Sequence, residues 1–297
     1  MSTAPTSVLV SERVHLVPGA VNAVLVVDGR RALAIDSGQG KDGGRRVRKA
    51  AEALGVELVA LLTTHAHADH FGGHAYLLRQ RRVPVLAPPV EAELMRAPLL
   101  EPAYLFHGAR PPVELTGAWL QAEACPVDRI VEAGPLEVEG FRVRLHDVSG
   151  HALRQLAVEV DDVLVAADAV FGSSVLAKYP VPFGQDAAGQ RAAADWVGDH
   201  SARVALPGHG DPAAPADLGA ATVAALDRVE GAVLEAADGV DGAEVLARVG
   251  AALRVAAPDL PRWHLNFTTV HAHLGALRAA GKVVARLDGH RLLWGVP

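Results

Sequence analysis

The length, composition and charge of the chain exclude several classes of protein before any motif is considered. Its 297 residues are 50% hydrophobic and carry a formal net charge of −6, which fits one large domain or a large domain with a small appendage. No apolar run reaches the roughly 18 residues that a membrane span requires. The sequence also lacks a long block of Lys and Arg, which would have indicated nucleic-acid binding. We therefore expect no association with a membrane and no binding of DNA.

The N-terminal residues and the cysteine content predict the compartment. Residues 1–7 have neither a basic start nor an apolar segment, so no secretory signal is predicted. The single cysteine, Cys125, cannot form an internal disulfide and is interpreted as a partly buried bystander. A cytoplasmic location is the resulting expectation.

The first third of the chain predicts an antiparallel meander followed by alternating strands and helices. Short β-branched runs separated by turn residues are typical of such a meander. These runs cover 8–10, 14–17, 21–27 and 32–35. The next part of the sequence predicts a helix over 43–54, a strand over 58–62, a helix over 73–80 and a strand over 83–87. The loops after these strands should meet at one edge of the sheet.

Four potential metal ligands directly follow the apolar strand predicted over 58–62. They are His65, His67, Asp69 and His70. Ligands in open α/β sheets bind beyond the carboxyl ends of the strands, where these side chains stand. Imidazole and carboxylate are ligands for zinc and its neighbours, while the thiolates of a closed structural zinc site are missing from the cluster. A His-rich surface loop is the alternative, but the density of ligands favours a catalytic metal site.

The segment 88–134 departs from the alternating pattern and is interpreted as an insert. One or two helical turns are predicted over 91–96, but four prolines interrupt the residues beyond them. A long segment of this kind inside a compact domain is typical of a lid or a binding insert. Some of its side chains are candidates for lining a substrate pocket, with packing of the insert on the domain as the alternative. These candidates are Tyr104, Phe106, His107 and Trp119.

The second half repeats the strand pattern, and further potential ligands follow its strands. Strands are predicted over 141–148, 155–160, 163–167 and 204–206. His151, Asp168 and His209 follow three of these strands, and glycines adjoin both histidines, which allows close backbone approach. Such residues often serve only as turn formers, but their shared position after apolar strands favours ligands. The layout predicts two similar βα halves whose sheets pack face to face, with helices outside.

The region 215–297 is predicted to be a helical and winged-helix-like extension of a catalytic part that covers 1–214. Helices are predicted over 215–237, 241–255 and about 268–280, followed by a β-hairpin formed by 283–287 and 291–294. The last helix carries no surplus of Lys or Arg, which argues against DNA binding. Trp263, Phe267 and Trp294 would instead anchor the unit by packing, with a homodimer as one option.

Four motifs, in their order and spacing, resemble the metallo-β-lactamase superfamily of hydrolases. They are His65-x-His67-x-Asp69-His70, Gly150-His151, Ala167-Asp168 and Pro207-Gly208-His209-Gly210. The resemblance covers 8 to about 212, and the tail resembles the winged-helix extension of a branch that includes glyoxalase II-like and β-lactamase-like 2 proteins. It implies an α/β protein with an αββα sandwich and a small C-terminal extension.

The same resemblance implies two divalent metal ions, with zinc favoured and iron or manganese also acceptable to the ligand set. The first ion would be held by His65, His67 and His151, the second by Asp69, His70 and His209, and both by Asp168. Lactamase-type members carry cysteine at the bridging position, so Asp168 points to the two-metal hydrolases. In these a bridging hydroxide attacks the substrate, and Asp69 would relay a proton.

The expected substrate is a small molecule, and the sequence ranks several candidate reactions without deciding among them. Hydrolysis of a thioester, a lactone or a related small acyl ester comes first, because the acidic net charge and the apolar insert fit a neutral or modestly anionic substrate. A phosphodiesterase or ribonuclease is the second option. A non-catalytic binding module, stabilised by its metals, is the third. No Gly-x-Ser-x-Gly motif supports a serine hydrolase.

Overall fold

Two β-sheets that pack face to face form the centre of the computed structural model, which describes residues 6–297. The seven strands of the first sheet follow one another in chain order. They are β1 (Val8–Leu9), β2 (Val14–Val17), β3 (Ala23–Asp28), β4 (Arg31–Ile35), β5 (Glu57–Leu62), β6 (Val85–Ala87) and β7 (Arg129–Ile130). β1 to β4 are antiparallel, whereas β4 to β7 run parallel. The carboxyl ends of the parallel strands therefore share one edge of the sheet.

Helices cover the outer face of the first sheet. Those of the first half are α1 (Gly40–Leu54), α2 (Ala68–Phe71), α3 (His74–Gln80), α4 (Glu91–Arg96) and α5 (Leu100–Leu105). α1 buries Val47, Ala50 and Ala51 on one face, which is the spacing of an amphipathic helix. It ends at Gly55, whose φ of 68° is the left-handed conformation that glycine adopts without strain. With helices on one face and the other sheet on the opposite face, β4 is apolar on both sides.

The second sheet is a meander with one parallel strand at its edge. Its strands are β8 (Gly134–Val138), β9 (Phe141–Asp147), β10 (Leu156–Val160), β11 (Val163–Ala167) and β12 (Val204–Pro207). β8 to β11 pair as antiparallel neighbours, and β12 joins β11 in parallel. Two helices lie between β11 and β12 in the chain, α6 (Ser173–Lys178) and α7 (Ala187–Gly198).

The main hydrophobic core lies between the two sheets. In β9, Phe141, Val143 and Leu145 point into this core and alternate with exposed arginines. Leu33 and Leu62 of the first sheet meet them from the other side. Burial of each such leucine contributes about 1.5–3 kcal/mol. The strands that carry the candidate ligands are therefore held by apolar packing.

The C-terminal region adds three helices and a small sheet. Its elements are α8 (Pro215–Ala236), β13 (Val240–Asp241), α9 (Gly242–Leu253), α10 (Leu260–Ala279), β14 (Val284–Asp288) and β15 (Arg291–Gly295). Its own core includes Trp294 and the stacked rings of Trp263 and Phe267, whose centroids lie 4.7 Å apart. α8 packs against α7, and α10 contacts both α5 and α7. The tail therefore touches both the insert and the second half.

The predicted α/β class, the two facing sheets and the C-terminal helices are confirmed, while several element boundaries differ from the prediction. The insert 88–134 is more ordered than predicted, since it includes α5, a 3₁₀ turn over Val113–Leu115 and the edge strand β7. β8, α6 and α7 were not predicted. α10 begins at Leu260 because Asp259 accepts a hydrogen bond from the Arg262 amide and Pro261 lies in the first turn, where proline is tolerated.

The structure bears on three further predictions, which concern a membrane span, a secretory signal and Cys125. Among residues 6–297, no helix combines the length and the apolar character that a membrane crossing requires. The predicted absence of a secretory signal concerns residues 1–7, of which 1–5 lie outside the described residues. Cys125 is buried, not partly buried as predicted, and burial raises the pKa of its thiol to about 12, which agrees with an unreactive side chain.

Candidate metal centre

Seven polar side chains meet where the carboxyl ends of the strands of both sheets come together. They are His65, His67, Asp69 and His70 after β5, His151 after β9, Asp168 after β11 and His209 after β12. Their ligand atoms fall into overlapping groups of three, within which all atoms lie within 4.8 Å of one another. The structure thus brings together all seven residues that the sequence singled out as metal ligands.

The first group consists of three neutral imidazoles. The Nε2 atoms of His65 and His151 each lie 3.0 Å from Nδ1 of His67. Burial lowers the pKa of His67 to about 3 and that of His65 well below its usual value. Burial also lowers the pKa of His151. Neutral imidazole is the form that binds a metal ion.

Hydrogen bonds on the outer side of two rings fix which nitrogen is available at the centre. Nδ1 of His151 donates to the carbonyl oxygen of Phe183 at 2.9 Å, so its Nε2 is unprotonated in the neutral ring. The Thr64 hydroxyl donates to Asp36 and can only accept from Nδ1 of His65, 3.1 Å away. The Nε2 of His65 therefore also presents a lone pair. Such outer partners are the usual support of metal-binding histidines.

The second group mixes imidazoles with a carboxylate. Nε2 of His209 lies 3.5 Å from Oδ2 of Asp69, and Nδ1 of His209 donates to the carbonyl oxygen of Ala20 at 2.9 Å. Burial opposes the protonation of His209, but the Asp168 and Asp69 carboxylates raise its pKa to about 10. Burial likewise opposes the ionisation of Asp69, but His209 and His70 lower its pKa to about 2. The opposite charges of His209 and Asp69 therefore stabilise each other within this group.

Asp168 stands between the two groups. Its Oδ1 lies 3.4 Å from Nε2 of His70, while its Oδ2 lies 3.4 Å from Nε2 of His151 and 3.3 Å from Nε2 of His209. Against the effect of burial, the imidazoles around it hold the pKa of Asp168 well below its usual value. The carboxylate therefore reaches one histidine of the first group and two of the second.

Local backbone features aim Asp168 at this position. A β-bulge between β11 and β12 and a φ of 46° at Ala167 turn the chain at the end of the strand. A Cβ atom at Gly208 would lie only 2.0 Å from Oδ1 of Asp168. Glycine at 208 is therefore required for the two strand ends to approach each other.

Asp36, which directly follows β4, orients residues of the site through hydrogen bonds. Its Oδ1 accepts a hydrogen bond from the Thr64 amide, and its Oδ2 accepts from the Thr64 hydroxyl and from Nδ1 of His70, each at 2.8 Å. The bond to His70 leaves Nε2 of that ring free for the centre. The sequence analysis missed this role, although Asp36 follows an apolar strand as His65 does.

The donor atoms of the centre fit a divalent transition metal. Nε2 of His70 and Oδ1 of Asp168 are buried and have no hydrogen-bond partner among the described residues. Unpaired buried polar atoms are costly unless a ligand satisfies them. Five imidazoles and two carboxylates, with no thiolate, form a set that zinc, iron or manganese accepts. The residues present therefore suit the metal site that the motif implied.

Glu91, at the start of α4, joins two of the ligand loops. It is completely buried, and its carboxyl oxygens accept hydrogen bonds from the amides of Ala66 at 2.9 Å and Arg154 at 3.0 Å. Burial raises the pKa of Glu91 to about 7. The side chain thereby ties the loop of His65 and His67 to the loop of His151.

The metal centre lies at the floor of a cleft of about 870 Å³, a size that suits a small molecule. Its walls come from the insert, from the segment after β11 and from the tail. The aromatic members of the walls are Trp119, Phe171, Tyr179 and Phe183, and the cationic members are Lys178, Arg254 and Arg262. Of the pocket residues that the sequence proposed, only Trp119 lines this cleft.

The other three proposed pocket residues lie elsewhere, which corrects the prediction. Tyr104 and His107 line a separate groove between the insert and α10, where the His107 ring meets Phe267 at 5.5 Å. Phe106 packs in a small cluster that includes Leu265. Their aromatic rings attach the insert to the tail, which was the alternative interpretation of these residues.

Comparison with known protein families shows which family the chain belongs to. The family model described as the metallo-beta-lactamase superfamily matches residues 16–209. The chain belongs to the metallo-beta-lactamase superfamily. All seven candidate ligands of this superfamily member fall within the matched range, and all of α8 to β15 lies beyond it. The predicted family is confirmed.

Curated relatives agree with this membership. The chain is 29% identical over 149 residues to a hydroxyacylglutathione hydrolase of Dechloromonas aromatica and 31% identical over 150 residues to one of Alkalilimnicola ehrlichii. The matched segments make up 50% of this chain but only 43% and 46% of those relatives. The chain thus spans less than half the length of the curated relatives that it matches.

Solved structures of the superfamily resemble the whole chain, including the tail. A metallo-beta-lactamase family protein of Thermus thermophilus matches 97% of this chain and 100% of its own with a TM-score of 0.74 and 21% identity. A beta-lactamase domain protein of Burkholderia ambifaria matches 100% and 96% with a TM-score of 0.73 and 18% identity. At such identities the likeness shows the fold alone.

Proposed function

We propose that this member of the superfamily is a dinuclear metal-dependent hydrolase that acts on thioesters or related small acyl esters. The observation that carries the proposal is the arrangement of seven ligands as two groups spanned by Asp168 at the floor of an open cleft. A structural metal site would be closed, whereas this one faces a space that a substrate can enter. The two hydroxyacylglutathione hydrolases among the relatives support a thioester substrate.

The residues that would hold the ions follow from the two groups. They are His65, His67 and His151 for the first ion, Asp69, His70 and His209 for the second, and Asp168 for both. When bound, the ions supply Lewis acidity and a water whose pKa is lowered to about 7. Zinc is the favoured ion.

The side chains of the protein orient this chemistry. Asp69 lines the cleft, and because its pKa is about 2 its carboxylate is ionised at neutral pH. It can accept a hydrogen bond from the attacking water and pass the proton on to solvent through the cleft. Phe183 and the other aromatic wall residues exclude bulk water from the reacting carbonyl, which strengthens the electrostatic interactions there.

The cations of the cleft wall favour a substrate with an anionic portion. Lys178 and Arg254 form no ion pair within residues 6–297, while Arg262 pairs with Asp259 and lies over the Trp119 ring at 5.7 Å. A carboxylate or phosphate on the thiol part of a thioester would find its counter-charge there. The local charge of the cleft thus points to an anionic substrate, which the net charge of the chain, −6, did not indicate.

The same cations support a second candidate, a phosphodiesterase or ribonuclease. A phosphodiester also carries negative charge, and a two-metal centre can stabilise both the attacking and the leaving oxygen. The thioester comes first because both curated relatives are named for acyl-thiol hydrolysis. A cytoplasmic location, a homodimer and the lack of DNA binding by the tail stay predictions.

A substrate panel separates these candidates. Metal-loaded protein would be incubated with S-lactoylglutathione, a neutral thioester, a lactone, a bis-aryl phosphodiester and single-stranded RNA. We expect the highest kcat/KM with the anionic thioester, no turnover after chelation, and recovery when zinc is restored. Cleavage of RNA or of the phosphodiester, with no thioester turnover, would replace the first candidate by the second. An Asp168→Ala variant is the matched inactive control.

A further inference from the structure

The loop that carries His209 is less firmly packed than the loops that carry the other imidazole ligands. The His209 side chain is 28% exposed, whereas the other four imidazoles of the centre are buried. Glycines stand on both sides of it, at positions 208 and 210, and glycine leaves the backbone more conformational freedom than other residues. The position of His209 therefore depends on hydrogen bonds more than that of the other ligands.

Asn22, which directly precedes β3, holds the backbone of this loop. Its side-chain amide donates to the carbonyl oxygens of Pro207 at 3.0 Å and Gly210 at 2.8 Å, and its backbone amide donates to that of Gly208 at 2.8 Å. Because both acceptors of the side chain are carbonyl oxygens, only its amide nitrogen can face them. The Gly210 backbone has no other hydrogen-bond partner in the described part of the chain. One residue thus fixes the loop on both sides of His209.

The turn between β2 and β3 also holds the imidazole ring of His209. The carbonyl oxygen of Ala20 accepts from Nδ1 of His209 at 2.9 Å, which leaves Nε2 to face Asp69 and Asp168. Asn22 itself is buried, and both protons of its side-chain amide are used. A turn from the first half of the chain therefore sets the position of a ligand that comes from the second half.

Within the described residues, this turn makes no hydrogen bond to the first group of ligands. The outer partners of that group are Thr64 for His65 and the carbonyl oxygen of Phe183 for His151. Neither partner belongs to the turn between β2 and β3. Because loss of an outer partner lowers the metal affinity of the ligand that it supports, loss of Asn22 should act on the second group alone.

We propose that Asn22 is a positioning residue that sets the affinity of the centre for the ion held by Asp69, His70 and His209. The assignment rests on the proposed dinuclear hydrolase and deepens it, because it names a residue outside the ligand set on which binding of the second ion depends. Asn22 acts through the backbone of the His209 loop. Without its hydrogen bonds the two glycines allow the loop to move, and binding of an ion must then order the loop at a cost in entropy.

Replacement of Asn22 by leucine tests the assignment, because leucine has a similar size and no donor. Zinc would be added to the metal-free protein in competition with a chromogenic chelator. We expect Asn22→Leu to bind one ion as tightly as the wild type and the other about 10- to 100-fold more weakly, the usual effect of removing an outer partner. Asn22→Asp, which keeps the shape but loses the amide donors, should give the same pattern. Wild-type affinity for both ions in either variant would overturn the assignment.

Two ligand variants identify the ion that is lost. His209→Ala removes a ligand of the second group, and His151→Ala removes one of the first. With cobalt in place of zinc, Asn22→Leu at one ion per chain should give the visible absorption spectrum of His209→Ala, because the ligands of the remaining ion determine its spectrum. The spectrum of His151→Ala would instead locate the loss in the first group and contradict the assignment.

Gln190→Leu is the matched control, because it also removes a buried side-chain amide that donates to a backbone carbonyl oxygen. Gln190 donates to Phe183 at 3.1 Å, on the side of the first group. Asp241→Ala, which removes the N-terminal cap of α9 in the tail, shows what a loss of stability alone does to metal binding. Both controls should bind the second-group ion within about threefold of the wild type. A weakening in either control as large as that in Asn22→Leu would make the effect a general loss of order and refute the role of Asn22.

The metal titration needs no substrate, so it separates this assignment from the proposed function. If the wild-type protein binds two ions but hydrolyses no substrate of the panel, the hydrolase proposal is wrong and the titration still decides the role of Asn22. If the wild type binds one ion only, the dinuclear centre and the Asn22 assignment are both wrong. If the wild type binds two ions and Asn22→Leu binds both equally well, only the Asn22 assignment is wrong.

Discussion

The floor and the walls of the cleft are built on different principles. On the floor, fixed hydrogen bonds orient the ligands: Asp36 accepts from His70, and the backbone carbonyl oxygen of Phe183, a residue of the wall, accepts from His151. In the walls, polar side chains such as Lys178 and Arg254 form no ion pair within the described residues, and the Lys178 ammonium group lies over the Tyr179 ring at 5.1 Å. The difference teaches that the floor is organised for chemistry that does not depend on the substrate. The walls present polar and charged groups with which a substrate can form hydrogen bonds or ion pairs.

Removal of Asp168 should have the largest effect, because it affects both groups of ligands. Asp168→Ala is expected to lower metal occupancy and to reduce kcat by at least about a hundredfold, since metal-activated water supplies most of the rate of such enzymes. The fold should persist, as its core consists of apolar strands. Metal analysis, circular dichroism and steady-state kinetics check this. Asp168→Cys should show partial zinc binding and weak activity. Wild-type turnover at full metal load in either variant would make Asp168 an ordinary turn residue.

Asp36 tests whether the floor depends on its outer hydrogen bonds. Asp36→Asn keeps the size of the side chain and tolerates the φ of 58° at this position, but an amide nitrogen cannot accept from both Thr64 and His70. We expect metal affinity or activity to fall by about 10- to 100-fold, the usual cost of losing an outer partner. Competition with a chromogenic chelator measures the affinity. Asp42→Asn, on the exposed first turn of α1, is the matched control, and an equal loss in both variants would refute the role.

The cations of the wall should matter less and should act on KM. Combined replacement of Lys178 and Arg254 by Ala is expected to raise KM for an anionic thioester by about tenfold, corresponding to 1.4 kcal/mol, with kcat nearly unchanged. The neutral thioester should be unaffected, and the effect should weaken at high salt because exposed charges are screened. Arg278→Ala, outside the cleft, is the control. A similar rise in KM for the neutral thioester would show that the loss is not electrostatic.

The same contrast explains what could be predicted from the sequence. Four ligands lie within six residues, and the other three follow apolar strands, so local pattern and the strand-end rule found all seven candidate metal ligands. The rule also applied to Asp36, whose role was overlooked because a single carboxylate is a weak signal beside a histidine cluster. The repeated layout, in which a meander is followed by ligands in each half, predicted the two facing sheets.

The walls could not be predicted in the same way, because their residues come from distant parts of the chain. Lys178, Arg254 and Arg262 lie on three separate segments, and the packing of α8 on α6 and α9, and of α10 on α8 and α9, brings them to one cleft. In the insert, aromatic character suggested Tyr104, Phe106 and His107. The orientation of α5 instead turns Glu101 toward the cleft and the rings toward the tail. Helices this short carry too few residues for a pattern to show which face is buried.

The number of metal ions bound by the seven ligands tests the proposed dinuclear centre most directly. Protein purified without chelators would be analysed for transition metals by elemental analysis, with protein concentration measured independently. The two groups of ligands around Asp168 predict close to two ions per chain, and activity that rises until both are bound. A content that settles at one ion per chain with full activity would contradict the dinuclear centre.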